Sequence, residues 1–186
     1  MSPTIKKAKI VVGRNLSLRN VLLDDAEFIL SLRLDPEKSR HLSATSVELD
    51  DQVSWLRNYR LSDDQAYFIV CDKEGRRLGC LRIYDPVGDS YCWGSWLMVR
   101  GLGPLLSIEA VLLVYAYAMH LGFRNARINV MKGNTYVWRF HEKIFGARKV
   151  DESDEEYFYE VDEKQITESL KKYARLIPLP LHVLLT

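Results

Sequence analysis

Arg100-Gly101-Leu102-Gly103-Pro104 is the stretch of this chain whose residue types most directly suggest a ligand. Two glycines make a tight turn, and Pro104, with its fixed φ and missing N–H, suits the first position of a helix. An apolar run from Leu105 to Ala116 follows, reads as almost free of charge, and ends before the stop signal Gly122. Amides of a first helical turn lack internal acceptors, and the helix dipole is positive there. A phosphate or pyrophosphate therefore fits over Arg100, Gly101, Leu102, Gly103, Leu105, Leu106 and Ser107.

Other residues could do chemistry. His141 follows Phe140, and Arg40 and His41 stand in a polar connector after Asp35-Pro36. An imidazole titrates near pH 6.5, which suits His141 for proton transfer. Trp93 and Trp96 lie three apart in a strand, which directs them to opposite faces, one toward the core and one free to stack on a ring. Asp89 could act as a base through water, although Gly88-Asp89-Ser90 also reads as an ordinary turn, and Asp151 to Glu156 reads as a solvated loop. Cys71, Cys80 and Cys92 fall in strand-like segments without metal-ligand spacing and read as reduced core thiols, so no metal is assigned.

The elements that must position these groups follow from pattern. With 186 residues and 47% apolar content, residues 1–186 form one domain, with a core at about 9–162 and a C-terminal helix and apolar tail at 163–186. A net charge of +1 and the lack of a basic-aromatic stretch disfavour nucleic acid. The N-terminus lacks a signal-peptide core and Leu105 to His120 is too short to span a bilayer, so a cytoplasmic protein without a membrane partner is expected. Lys9 to Arg19 reads as a hairpin or a bent edge strand around Gly13-Arg14-Asn15, and Asp24 or Asp25 as the N-cap of a helix ending at Asp35-Pro36. A helix over Asp50 to Leu61 and strands over Ala66 to Cys71, Leu78 to Asp85 and Asp89 to Val99 follow. Beyond the glycine turn come the apolar helix, a strand over Arg127 to Met131, a helix over Asn134 to Phe145, a strand over Glu156 to Val161 and a helix over Gln165 to Leu176. The class is mixed α/β around one central sheet. The tail Pro178 to Leu185 carries too many aliphatic groups to leave in water; its own sheet edge or a second subunit would cover it, and a homodimer is preferred.

This order of elements, over roughly Leu16 to Val161, resembles the GNAT superfamily of acetyl-CoA-dependent N-acetyltransferases. Arg100, Gly103 and Leu105 take the places of the family's phosphate-loop pattern, with Leu105 where Gly or Ala is usual. Asn134 to Gly146 is similar to its second motif, with His141 where a Tyr is usual. The resemblance implies a mostly antiparallel sheet flanked by helices and acetyl-CoA as co-substrate. It further implies a pantetheine arm held by backbone at Leu97, Met98 and Val99, cofactor contacts from Asn134 and Trp138, and His141 as proton donor or acceptor. Arg40, His41 and Trp93 would face the acceptor. Arg33 to Ser43 and Trp93-Gly94-Ser95-Trp96 look most similar to a bacterial branch that acetylates nucleotide-linked amino sugars or the N-termini of ribosomal proteins. The expected activity is acetyl transfer to a primary amine of a small molecule, with the amino-sugar acceptor ahead of a protein N-terminus. A non-catalytic acyl-CoA-binding or assembly module is the alternative.

Overall fold

The opening hairpin forms as β1 (Ala8–Val12) and β2 (Leu16–Asn20). The computed structural model describes residues 2–41 and 46–186; Leu42 and Ser43, the end of the polar connector, lie outside them. Helix α1 (Ala26–Arg33) is followed directly by a short helix α2 (Pro36–Ser39), then by α3 (Leu49–Leu61). A meander of β3 (Ala66–Asp72), β4 (Arg77–Val87) and β5 (Ser90–Met98) leads into α4 (Pro104–His120). The chain continues through β6 (Asn125–Met131), α5 (Thr135–Phe145), β7 (Arg148–Glu152), β8 (Glu156–Val161), α6 (Glu163–Lys172) and β9 (His182–Leu185). These strands make one sheet in the order β7-β8-β6-β5-β4-β3-β2-β1-β9, with β5 and β6 the parallel pair.

Both faces of the sheet are covered. In β3, Phe68 and Val70 join the core beneath α4, while Tyr67, Ile69 and Cys71 pack toward α1 and α3 with Ile29, Leu32, Leu56 and Tyr59. Period-2 alternation thus sends apolar side chains both ways, which is why β3 reads as a continuous apolar run. Cys71, Cys80 and Cys92 are buried and unpaired, and burial pushes the Cys80 thiol up to about 11.

Helix α4 is buried from Ile108 to Ala118, as an apolar surface on nearly every side requires. Its run is not free of charge, because Glu109 sits within it at 0% exposure. The Glu109 carboxylate accepts from Asn15 N at 2.6 Å, Leu16 N at 2.9 Å and Asn15 Nδ2 at 2.8 Å. A buried carboxylate is tolerable only when its lone pairs are filled in this way. It ties the β1–β2 turn to the centre of the molecule, and a Cβ on Gly13 would lie 2.6 Å from Glu109 Oε1.

Several expectations are corrected. Asp25 is the N-cap residue of α1, as expected, but its side chain makes no capping bond there. Asp25, 2% exposed, instead accepts from Arg19 at 2.7 Å and from Leu22 N at 2.8 Å. Burial alone would raise its pKa, but the Arg19 and Leu22 bonds hold it below the ordinary carboxylate value. β7 falls on a stretch whose residues are all exposed, so it carries no alternation to read; charged edge strands of this kind resist further pairing. Pro86 lies inside β4, where the register shifts between Tyr84 and Val87, a bulge that releases the ladder hydrogen bond proline cannot make. Of the two covers expected for the tail, its own sheet edge is the one observed, β9 pairing antiparallel with β1 through Val11 and Val183.

Candidate active site

The site begins where two parallel strands part. β5 and β6 pair at Ser90, Tyr91 and Cys92 only, so the rest of β5 has no partner on its β6 side. On the other side β5 stays paired with β4, and Val99 N donates to Leu78 O at 2.7 Å. That bond engages one of the three amides expected to be free. Successive N–H groups of a strand point to alternate edges, so the Met98 amide faces the open gap.

A bulge sharpens the geometry. Ser95 has φ 50°, and the pairing shifts from Cys80–Leu97 to Arg82–Gly94. The extra residue reverses the alternation. Trp93 and Trp96 therefore share one face, with ring centroids 6.0 Å apart, instead of pointing to opposite faces as a regular strand would have them. Trp93 is 1% exposed and packs edge-on against Tyr115, which places it in the core and away from any acceptor. Trp96, partly exposed, lines the cleft.

The glycine turn leads into α4 with Gly103 as the N-cap. Gly101 has φ 79°, a conformation glycine adopts without strain, and a Cβ at either Gly101 or Gly103 would meet nothing within 4 Å. The space above the loop is open and the first-turn amides border it, an arrangement that suits a pyrophosphate. Leu105 is 58% exposed and outside the cleft lining, so the larger residue at that position narrows nothing. Arg100 is engaged elsewhere: its guanidinium reaches Asp35 at 2.7 Å and Glu37 at 3.1 Å. The Arg100 bond holds the Asp35 carboxyl well below the usual carboxylate range. Asp35 also caps α2 through Glu37 N at 3.0 Å, so the arginine expected to meet phosphate links the loop to α2.

The third wall is the start of α5. Asn134 is its N-cap and lines the cleft without a side-chain capping bond. Trp138 does not reach the cleft; its indole donates to Lys132 O at 3.2 Å and meets Tyr157 edge-on at 5.9 Å. It braces the β6–α5 turn from behind. His141 is likewise misplaced for its expected role. It is 1% exposed among Trp93, Trp96, Phe140 and Phe145, and burial pushes its pKa down to about 3. A neutral ring sealed in a core cannot carry protons to a substrate.

The cleft enclosed by these walls has a volume of about 590 Å³, within the range of small-molecule sites. It brings together Leu97, Met98, Ser107 and Asn134 with Arg40 and His41 from across α2. Sequence reasoning missed Lys38, Gly133 and the 73% exposed Tyr136, which also line it. The missed signal for α2 is Asp35-Pro36 itself. An N-cap aspartate followed by a first-position proline starts a helix as well as ending one.

Residues 15–145 match the family description "Acetyltransferase (GNAT) domain". With a gapped β5–β6 pair, a glycine loop before a buried helix and this coverage, the chain belongs to the GNAT acetyltransferase family, whose general chemistry is N-acetyl transfer. Among solved structures it is similar to apo FdhC, described as a nucleotide-linked sugar GNAT. The identity is 31%, the TM-score 0.79, and the match covers 94% of this chain and 99% of that one. A probable acetyltransferase from Chromobacterium violaceum shares 18% identity with a TM-score of 0.76, over 89% of this chain and 91% of that one. A mutant of the spermidine N-acetyltransferase SpeG from Vibrio cholerae shares 12% with a TM-score of 0.68, over 82% and 96%. The last two support the fold alone. No curated protein sequence matches the chain significantly. Among the described residues no helix is long and apolar enough to cross a membrane.

Proposed function

We propose that this chain transfers the acetyl group of acetyl-CoA to a primary amine on a nucleotide-linked amino sugar. The observation that carries this reading is the cleft under α2, which takes in Leu97 and Met98 at the β5–β6 gap and Ser107 in the first turn of α4. Acetyl-CoA supplies the thioester. The loop amides around Gly103 to Ser107 hold its pyrophosphate, and the backbone at Met98 donates toward the pantetheine arm and the developing oxyanion. The acceptor enters beside α2, where Lys38 and Arg40 offer positive charge to a diphosphate. The amine nitrogen bonds to the carbonyl carbon, the C–S bond breaks, and the thiolate and the nitrogen's lost proton complete CoA and the amide. The 31% relative's description supports the sugar class.

Calorimetry with acetyl-CoA, followed by transfer assays on a UDP-linked amino sugar, spermidine and a peptide N-terminus, tests the proposal. Micromolar acetyl-CoA binding with turnover on the sugar alone is expected. Turnover confined to the peptide would replace it with the protein N-terminal activity, and binding without any turnover with a non-catalytic acyl-CoA module. A homodimer would use the outer edge of β9, where Leu184 and Leu185 are 48% and 38% exposed. Light scattering of the chain shortened by residues 178–186 checks it, a monomer being expected if that edge is the contact.

A further inference from the structure

We propose that His41 is the group that takes the proton from the acceptor amine, and that Gly133 is its seat. This inference rests on the functional reading above. The chain has four histidines. His141 is closed into the core, His120 ends α4 and His182 lies on β9. His41 is the histidine in the cleft lining, together with Trp96, Met98 and Asn134.

Its ring is positioned from two elements. His41 N donates to Lys38 O at 3.0 Å, which closes the last turn of α2. Across the cleft, a Cβ on Gly133 would lie 3.5 Å from His41 Cε1 and 3.6 Å from Nδ1. The imidazole edge therefore rests on the bare backbone of the turn that precedes Asn134 and α5. A methyl group there would make ordinary contact, whereas a branched side chain would push the ring out.

The other ionisable groups in the lining are less suited to accept a proton. Glu37 is paired with Arg100 at 3.1 Å, and Lys38 lies 3.3 Å from Asp35. Arg40 is a permanent cation and Tyr136 a phenol. β5 contributes no charged group, only Trp96, Leu97 and Met98. Imidazole is the side chain that is an uncharged base near neutrality. In the step assigned to it, the nitrogen's pair forms the N–C bond and the C–S pair leaves with sulfur. The N–H proton passes to His41, which releases it to water, and the thiolate takes a proton from water.

The test compares His41→Ala, Gly133→Ala and Gly133→Val with the parent, using acetyl-CoA and a UDP-linked amino sugar. His41→Ala is expected to lower kcat by about 100-fold or more and to leave acetyl-CoA affinity by calorimetry within threefold. Added imidazole should restore part of the rate. Gly133→Val should lower kcat in the same way and Gly133→Ala should not. If His41→Ala keeps the parent's kcat, or loses only acetyl-CoA affinity, His41 is not the proton acceptor. If the parent fails to bind acetyl-CoA, the functional reading falls and this assignment falls with it.

Discussion

Trp96 separates two regions built from similar residues and used differently. Behind it, Phe140 and His141 lie 5.3 and 5.8 Å from its ring, and His141 is closed off with an unpartnered Nδ1. In front of it lies the cleft, where His41 rests on a glycine within reach of solvent. The same side chain is packing material in one region and a candidate base in the other. What separates them is dehydration, because a low-dielectric surround disfavours the imidazolium and leaves a ring that does not titrate near neutrality. Motif position marks His141; solvent access marks His41.

The largest effect that would sharpen this contrast is at the open end of the cleft. Gly103→Glu places a carboxylate in space where a Cβ meets nothing, so the fold should hold while like-charge repulsion excludes a pyrophosphate. Acetyl-CoA affinity by calorimetry is expected to fall at least about 100-fold, with Gly103→Ala close to the parent. Unchanged affinity would move the phosphate site elsewhere.

On the dry side, the effect should be on stability. Trp93→Ala removes a ring at 1% exposure, and truncations of this size cost roughly 3–5 kcal/mol. Thermal unfolding should shift down by about 8 °C or more. A smaller shift would show that the cluster is looser than its ring contacts indicate.

His141 links the dry side to pH. Its pKa is about 3 in the fold against 6.5 ordinarily, so the unfolded chain takes up this proton first as pH falls. The stabilisation is therefore complete above about 6.5 and lost toward 3, at most roughly 5 kcal/mol over that window. Urea unfolding of His141→Phe between pH 7 and 4.5 should show a shallower acid loss than the parent, with kcat at neutral pH changed less than about threefold. An equal slope in both proteins would mean that His141 is not held neutral by burial.

The smallest effect is expected at Arg100, which joins the two regions' outer walls through Asp35 and Glu37. Arg100→Ala should raise the acceptor's KM several-fold by loosening α2, while acetyl-CoA affinity stays within about threefold. Loss of acetyl-CoA affinity instead would return Arg100 to the phosphate site.

Local chemistry made much of this protein legible. Pro104, the apolar run and Gly122 predict the helix observed at Pro104–His120, because proline, glycine and hydrophobic spacing act within a few residues of themselves. Alternation predicts the meander, and the glycine turn its place at the end of β5. The strand Arg148–Glu152 and the helix Pro36–Ser39 had no periodic apolar face to show. The site depended on longer-range effects. One bulge at Ser95 turned Trp96 onto the same face as Trp93, a register matter that spacing in a regular strand predicts the other way. Glu109 became a buried anchor because Asn15 and Leu16 fold back onto it from 94 and 93 residues away. Which histidine keeps water and which loses it was decided by elements that meet only in the tertiary structure: α2 on Gly133 for His41, and the β5–α4–α5 cluster for His141. Burial is a property of the whole chain's packing, and with it go the charge state of each ring and the chemistry it can do.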